Sequence, residues 1–273
     1  MPEIKSVPAK QVTSPNNNPN VNTGPQTTSP GRNTDANAAS NNSTATSAAA
    51  AEGKMMADAA RLNSMSIRFQ KFKTLLDSPN VDIEQLKKLA WAGVPDEIRP
   101  TVWKLLMAYL PTNSDRRAST LERKRKEYDE YALQAFQRAA SLDTQLSHQI
   151  HIDIQRTNAG MALYQQEATQ KALERILYIW AIRHPASGYV QGINDLLTPF
   201  FQVFLAEHCT STVDKCDMGA LSTQALAELE ADCYWCLCKL LDGIQDNYTH
   251  GQPGIHRQVL RMKELISRVD GTI

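Results

Sequence analysis

No Phe, Trp or Tyr occurs before Phe69, although the 273 residues include 6 Phe, 4 Trp and 8 Tyr. Aromatic side chains bury the most apolar area per residue, so an aromatic core must be assembled downstream of that point. Residues 11–52 are dominated by Asn, Ser, Thr, Pro and Ala. Such a tract cannot bury enough apolar surface to offset the entropy of ordering it. Residues 1–60 are therefore predicted to form a disordered low-complexity tail and residues 61–88 a helical lead-in, with a folded domain over residues 89–273. The roughly 210 residues after the tail suffice for a sizeable core.

Lys plus Arg and Asp plus Glu each total 29, a formal net charge of zero. That balance points to neither nucleic acid nor an anionic membrane as partner. The basic run Arg116, Arg117, Arg123, Lys124, Arg125 and Lys126 is interleaved with Glu122 and Glu127 and reads as a solvated helix face. Glu3, Lys5 and Lys10 break up the first residues, so no secretory signal is expected. The most apolar stretch, residues 196–205, is about half a bilayer span and carries Thr198, Pro199 and Gln202, so no transmembrane segment is expected either. The expectation is a soluble, cytoplasmic protein.

The five cysteines, an odd number in a chain without a signal, argue against a disulfide framework. Cys233, Cys236 and Cys238 have the spacing of half a metal site. No second Cys/His pair accompanies them, and they sit among Tyr234, Trp235, Leu237, Leu240 and Leu241. A buried helix with no metal is the expectation.

Apolar residues recur at three- and four-residue steps, and no segment sustains period-two alternation, so the fold class is all-α. Ile67, Phe69, Phe72, Leu75 and Leu76 predict a helix stopped by Ser78 and Pro79. Asp82, with Gln85 three residues on, predicts the capped start of a second, ending near Gly93. Val102, Leu105, Leu106 and Tyr109 predict a third over residues 99–110, with Pro100 in its first turn and Pro111 after it. A charged helix follows over residues 121–139, and residues 149–158 read as a connecting segment. Strong periodicity returns over residues 172–183; an apolar helix is predicted over residues 195–208 (interrupted or started at Pro199) and further helices over 225–241 and 258–269, with loops at 184–188 and 209–220.

The chain has no Gly-x-x-x-x-Gly-Lys-Ser/Thr loop, so no cofactor or nucleotide of its own is expected. Three segments stand out together: Arg99-x-x-x-Trp103-x-x-Leu106, Ile150-His151-Ile152-Asp153-Ile154-Gln155-Arg156-Thr157, and Tyr189-Val190-Gln191-Gly192. Gly93-Val94-Pro95 precedes the first, and Ile193-Asn194-Asp195 extends the third. In order and spacing they resemble the three fingerprint motifs of TBC-domain GTPase-activating proteins for Rab GTPases, in wording closest to a Golgi-associated branch.

The resemblance implies a helical TBC fold from about residue 89 on. It also implies that Arg156 and Gln191 are the catalytic residues, offered in trans to a Rab GTPase that brings its own GTP and Mg²⁺. Asp153, Tyr189 and Gly192 would support them, Asp153 by holding the guanidinium or capping the local backbone. Arg99 and Trp103 read as structural, with Arg99 bracing the active-site segments. The family's domain continues for a second helical portion, so the chain would hold the finger-bearing part of a C-terminally truncated domain with apolar faces exposed. The resemblance also implies vesicle trafficking and a cytoplasmic protein peripheral at Golgi or other endomembranes. The alternative is a helical adaptor that binds a GTPase or scaffold proteins without stimulating hydrolysis.

Overall fold

In the computed structural model, residues 40–137, 143–209 and 212–270 are described, the side chains from residue 54 onward. Among the described residues ten α-helices follow in order: α1 Ser40–Leu76, α2 Ile83–Ala90, α3 Arg99–Leu106, α4 Arg117–Phe136, α5 Thr144–Arg156, α6 Ala162–Gln165, α7 Glu167–Arg183, α8 Ile193–Leu205, α9 Thr223–Asp242 and α10 Pro253–Val269. An isolated β-bridge joins Asn80 to Asn113, and no strand occurs among the described residues. The all-α fold class follows. No helix among the described residues is long and apolar enough to cross a membrane.

The chain divides into two compact units, Met1–Asp58 and Ala59–Ile273. Within the first, residues 1–39 of the expected disordered tail lie outside the described residues. Residues 40–60, also assigned to that tail, run as α1 backbone. The alanine-rich stretch Ala48, Ala49, Ala50 and Ala51 has the best helix propensity of any residue type, which a reading based only on core-forming residues overlooks.

In the second unit, α7 is the hub. Leu173, Ile176, Leu177, Ile179 and Trp180 are all at most 1% exposed, so it is enclosed on several sides. The helices α5, α8, α9 and α4 pack around it, while α8 and α4 also pack on α9. A smaller cluster of Phe72, Val81, Leu86, Val102, Leu105 and Leu110 joins the end of α1 to α2 and α3.

Local chemistry sets several boundaries. Asp82 caps α2, its carboxylate accepting from the amides of Glu84 and Gln85. The helix α3 stops at Leu106, four residues short of the expected end, because Ala108 turns to φ +52° and the amides of Tyr109 and Leu110 both donate to the Lys104 carbonyl. In α8, Pro199 neither starts nor interrupts the helix. Its missing N–H would leave the Asp195 carbonyl unpaired, and the Thr198 hydroxyl donates to that carbonyl at 2.9 Å instead.

Three other expectations are corrected. Residues 149–158 are not a connector, since most of them form the second half of α5, with Ile150 and Ile154 buried against α7. The odd cysteine count does not prevent a disulfide, for Cys209 and Cys216 are bonded across the short connection after α8. The basic face of α4 is not uniformly solvated: Arg125 donates to both carboxylate oxygens of Asp232, at 3.0 and 2.8 Å, and Lys124 lies over the Trp235 ring. Cys233, Cys236 and Cys238 are free and buried in α9, and burial raises all three thiol pKa values.

Apolar residues also remain in solvent: Val259, Leu260, Met262 and Leu265 of α10 are each at least 60% exposed.

The charged residues Glu230 and Asp232 of α9 are each 1% exposed. Asp232 meets Lys104 of α3 at 2.7 Å and accepts from the Tyr109 hydroxyl at 2.7 Å as well as from Arg125. Burial by itself raises a carboxyl, but Arg125 and Lys104 outweigh it and hold Asp232 low. Lys104 is likewise held charged against burial by Asp232 and Glu207. Glu230 has less compensation, accepting from Tyr128 at 2.9 Å and lying 3.3 Å from Arg175, and burial pushes it up to about 7.

Two predictions follow from this buried charge. Asp232→Ala should destabilise the chain by about 3–5 kcal/mol in urea unfolding, because it strips a buried lysine of one partner. Adding Lys104→Met should recover part of that loss, and a double variant as unstable as the summed singles would break the assignment. Glu230 behaves oppositely with pH: the folded chain keeps a proton that the unfolded chain releases above about 4.5. Its contribution therefore makes stability fall as pH rises from about 4.5 to 7, by roughly 2–4 kcal/mol. Glu230→Gln should flatten that decline in a pH series of unfolding curves, and an unchanged slope would show that Glu230 does not cause it.

Candidate functional site

The second fingerprint segment lies at the end of α5. Asp143 starts that helix, accepting from the amides of Gln145 and Leu146 at 3.1 and 3.0 Å. With Ile150 and Ile154 fixed against α7, Asp153 also points inward and is 5% exposed. Arg156, the last helical residue, lies three positions on, close enough for its guanidinium to reach back. Its Nη2 donates to Asp153 Oδ1 at 2.5 Å while the arginine side chain stays 62% exposed. A cation in the last turn is also favoured by the helix dipole.

The third segment approaches from the other side. Tyr189 is buried, and its hydroxyl donates to Asp153 Oδ2 at 2.9 Å and lies 3.3 Å from Asn194 Oδ1. Burial, reinforced by the neighbouring Asp153 carboxylate, raises the Tyr189 pKa, so this hydroxyl remains a donor. Gly192 then takes φ +101° to enter α8, a conformation that strains any residue with a Cβ even though open space surrounds it. Gln191, one residue earlier, is exposed, and its side chain makes no hydrogen bond among the described residues.

Two further residues close the network, and the sequence reading assigned neither a role. The Asn194 side chain accepts from the Gly192 amide and donates to the Thr157 hydroxyl, both at 2.9 Å. Thr157 in turn donates to the Asp153 carbonyl at 2.8 Å. Both are buried, but polar neighbours flank each in the sequence, Arg156 and Asn158 beside Thr157 and Asp195 beside Asn194, so no apolar pattern singles them out. The structure thus brings Asp153, Arg156, Tyr189 and Gly192 into one hydrogen-bonded group, with Gln191 on the turn beside it.

The first fingerprint segment stands apart from this group. Arg99 is ion-paired with Asp96 and donates to the Val94 carbonyl at 2.9 Å, so it ties its own turn together and does not brace the active-site segments as expected. Trp103 packs edge-on against Phe200 of α8, with ring centroids 5.7 Å apart.

With both Asp153 oxygens occupied, Tyr189→Phe should leave one buried carboxylate oxygen unbonded. The expected cost is about 1–3 kcal/mol in the denaturant midpoint with an unchanged slope. A loss below about 0.5 kcal/mol would mean that water reaches Asp153 and the network is not dry.

Residues 96–273 match the Rab-GTPase-TBC domain family. Human TBC1 domain family member 22B is 53% identical over 204 residues, spanning 74% of this chain and 40% of that protein. GTPase-activating protein GYP1 of Saccharomyces cerevisiae is 48% identical over 222 residues, spanning 79% of this chain and 35% of that protein. The chain thus covers less than half the length of these curated relatives. The crystal structure of the Ypt/Rab-GAP domain of Gyp1p is similar with a TM-score of 0.67 at 46% identity, over 75% of this chain and 65% of that one. With the family pattern covering most of the chain and the fold matching a solved member, the chain belongs to the Rab-GTPase-TBC domain family.

Proposed function

We propose that this chain accelerates GTP hydrolysis on a Rab GTPase by placing Arg156 and Gln191 together in the partner's nucleotide site. The observation that carries the reading is the contrast around Asp153: its carboxylate is buried, and the guanidinium it holds is 62% exposed. One donor of the Arg156 fork is engaged inside the chain, which leaves the others to meet phosphate oxygens. Hydrolysis spreads negative charge over the β- and γ-phosphate oxygens, and a planar, permanently charged fork can bond two of them at once.

Gln191 supplies the second requirement. A neutral carboxamide can accept a hydrogen bond from the attacking water and donate one to phosphate, holding the water in line. Relatives named GTPase-activating proteins support the coarser part of this reading, that the chain is an activator. GTP and Mg²⁺ belong to the partner, and the chain contributes no nucleotide site of its own. By the resemblance of the fingerprint segments, the protein acts in vesicle trafficking and is cytoplasmic, peripheral at Golgi or other endomembranes.

The test is single-turnover phosphate release from a panel of GTP-loaded Rab proteins with the chain in excess. With a responsive Rab, Arg156→Ala should lower the stimulated rate about 10³- to 10⁵-fold, or roughly 4–7 kcal/mol of transition-state stabilisation. Arg156→Lys should recover little, because an ammonium cannot span two oxygens. Gln191→Ala should also be severe, with the double variant well short of the multiplied losses. Full stimulation by Arg156→Ala would remove the finger assignment. Binding of a Rab with no stimulation by the parent chain would put an adaptor in its place.

A further inference from the structure

We infer that Asn194 is a positioning residue that sets the Gln191 turn against the Arg156 helix end, with Thr157 as its anchor; the inference rests on the two-finger reading above. The Gln191 side chain makes no hydrogen bond among the described residues, so its location depends on the backbone that carries it. That backbone is fixed one residue later, where the Gly192 amide donates to Asn194 Oδ1 at 2.9 Å. The other end of the same carboxamide donates to Thr157 Oγ1 at 2.9 Å, the residue directly after Arg156. Thr157 donates onward to the Asp153 carbonyl at 2.8 Å, and Asp153 holds the guanidinium.

One buried side chain therefore spans the two elements that carry the exposed arginine and glutamine. Asn194 is 6% exposed and Thr157 2%, so water does not readily replace either partner. An uncharged carboxamide of this length offers an acceptor to Gly192 and a donor to Thr157 at once. A carboxylate would lack the N–H, and an aliphatic residue would lack both. Misplacing a reacting group by about 1 Å can cost on the order of 100-fold in rate, so a bridge of this kind acts on catalysis without touching the partner.

A double-mutant cycle separates positioning from packing. Asn194→Ala and Thr157→Val should each lower stimulated hydrolysis about 10- to 100-fold on a responsive Rab. In a Gln191→Ala background each should cost less than about threefold, because there is no glutamine left to place. Thr157→Ser, which keeps the hydroxyl, should regain most of what Thr157→Val loses; packing alone would favour the isosteric valine. Amide exchange at Gly192 should quicken at least about tenfold in Asn194→Ala while the unfolding midpoint of the core is retained. Losses that persist undiminished without Gln191, valine outperforming serine, or unchanged Gly192 exchange would each overturn the proposal. A parent chain that stimulates no Rab would instead overturn the activator reading on which it stands.

Discussion

A buried carboxylate is stable only if its charge is answered on every side, and Asp153 meets that condition by drawing on its own helix and on a loop far along the chain. Oδ1 is held by Arg156 of its own helix and Oδ2 by Tyr189 from the loop before α8. Either contact alone would leave an oxygen desolvated and unbonded. The requirement to satisfy both fixes the end of α5 against the start of α8, and through Asn194 it reaches the turn that carries Gln191. What reaches solvent is the outward part of this group: the guanidinium and the glutamine side chain.

Such a site is only as well placed as the helices beneath it. Here α5 rests on α7, and α8 on α9, while α9 is joined to α3 and α4 by the ions around Asp232. Apolar packing alone would permit sliding of α9 along its neighbours. The bidentate contact of Arg125 and the Lys104 bridge allow one register, because a shift would bury unpaired charge. Glu230, on the same helix, shows the opposite balance: its partners do not fully offset burial, and its pKa rises.

Helices with a clean three- and four-residue apolar step, such as α2, α7 and α9, were legible in the sequence. The helix α5 was not, although it carries Arg156. Ile150, Ile152 and Ile154 alternate with polar residues, so a local period of two masks the four-residue step between the buried pair Ile150 and Ile154. Burial of Lys104 and Asp232 was likewise hidden, since each is stabilised by a partner far along the chain that no local pattern announces. At the site, the fingerprint segments marked Asp153, Arg156, Tyr189, Gln191 and Gly192. Thr157 and Asn194 went unassigned because their importance lies in the bond between them. Arg99 had the motif but only local contacts, so its place in a fingerprint did not predict its partners.

If Arg156 and Gln191 act on one transition state, affinity for the partner must follow the geometry of the phosphoryl group in flight. The direct measurement is calorimetric binding of the chain to a responsive Rab loaded with GDP alone and with GDP plus aluminium fluoride, a planar stand-in for that group. Two-finger insertion predicts binding at least about 100-fold tighter to the fluoride form, with the preference lost in Arg156→Ala and sharply reduced in Gln191→Ala. Equal affinity for the two forms, or a preference that survives removal of both side chains, would contradict it.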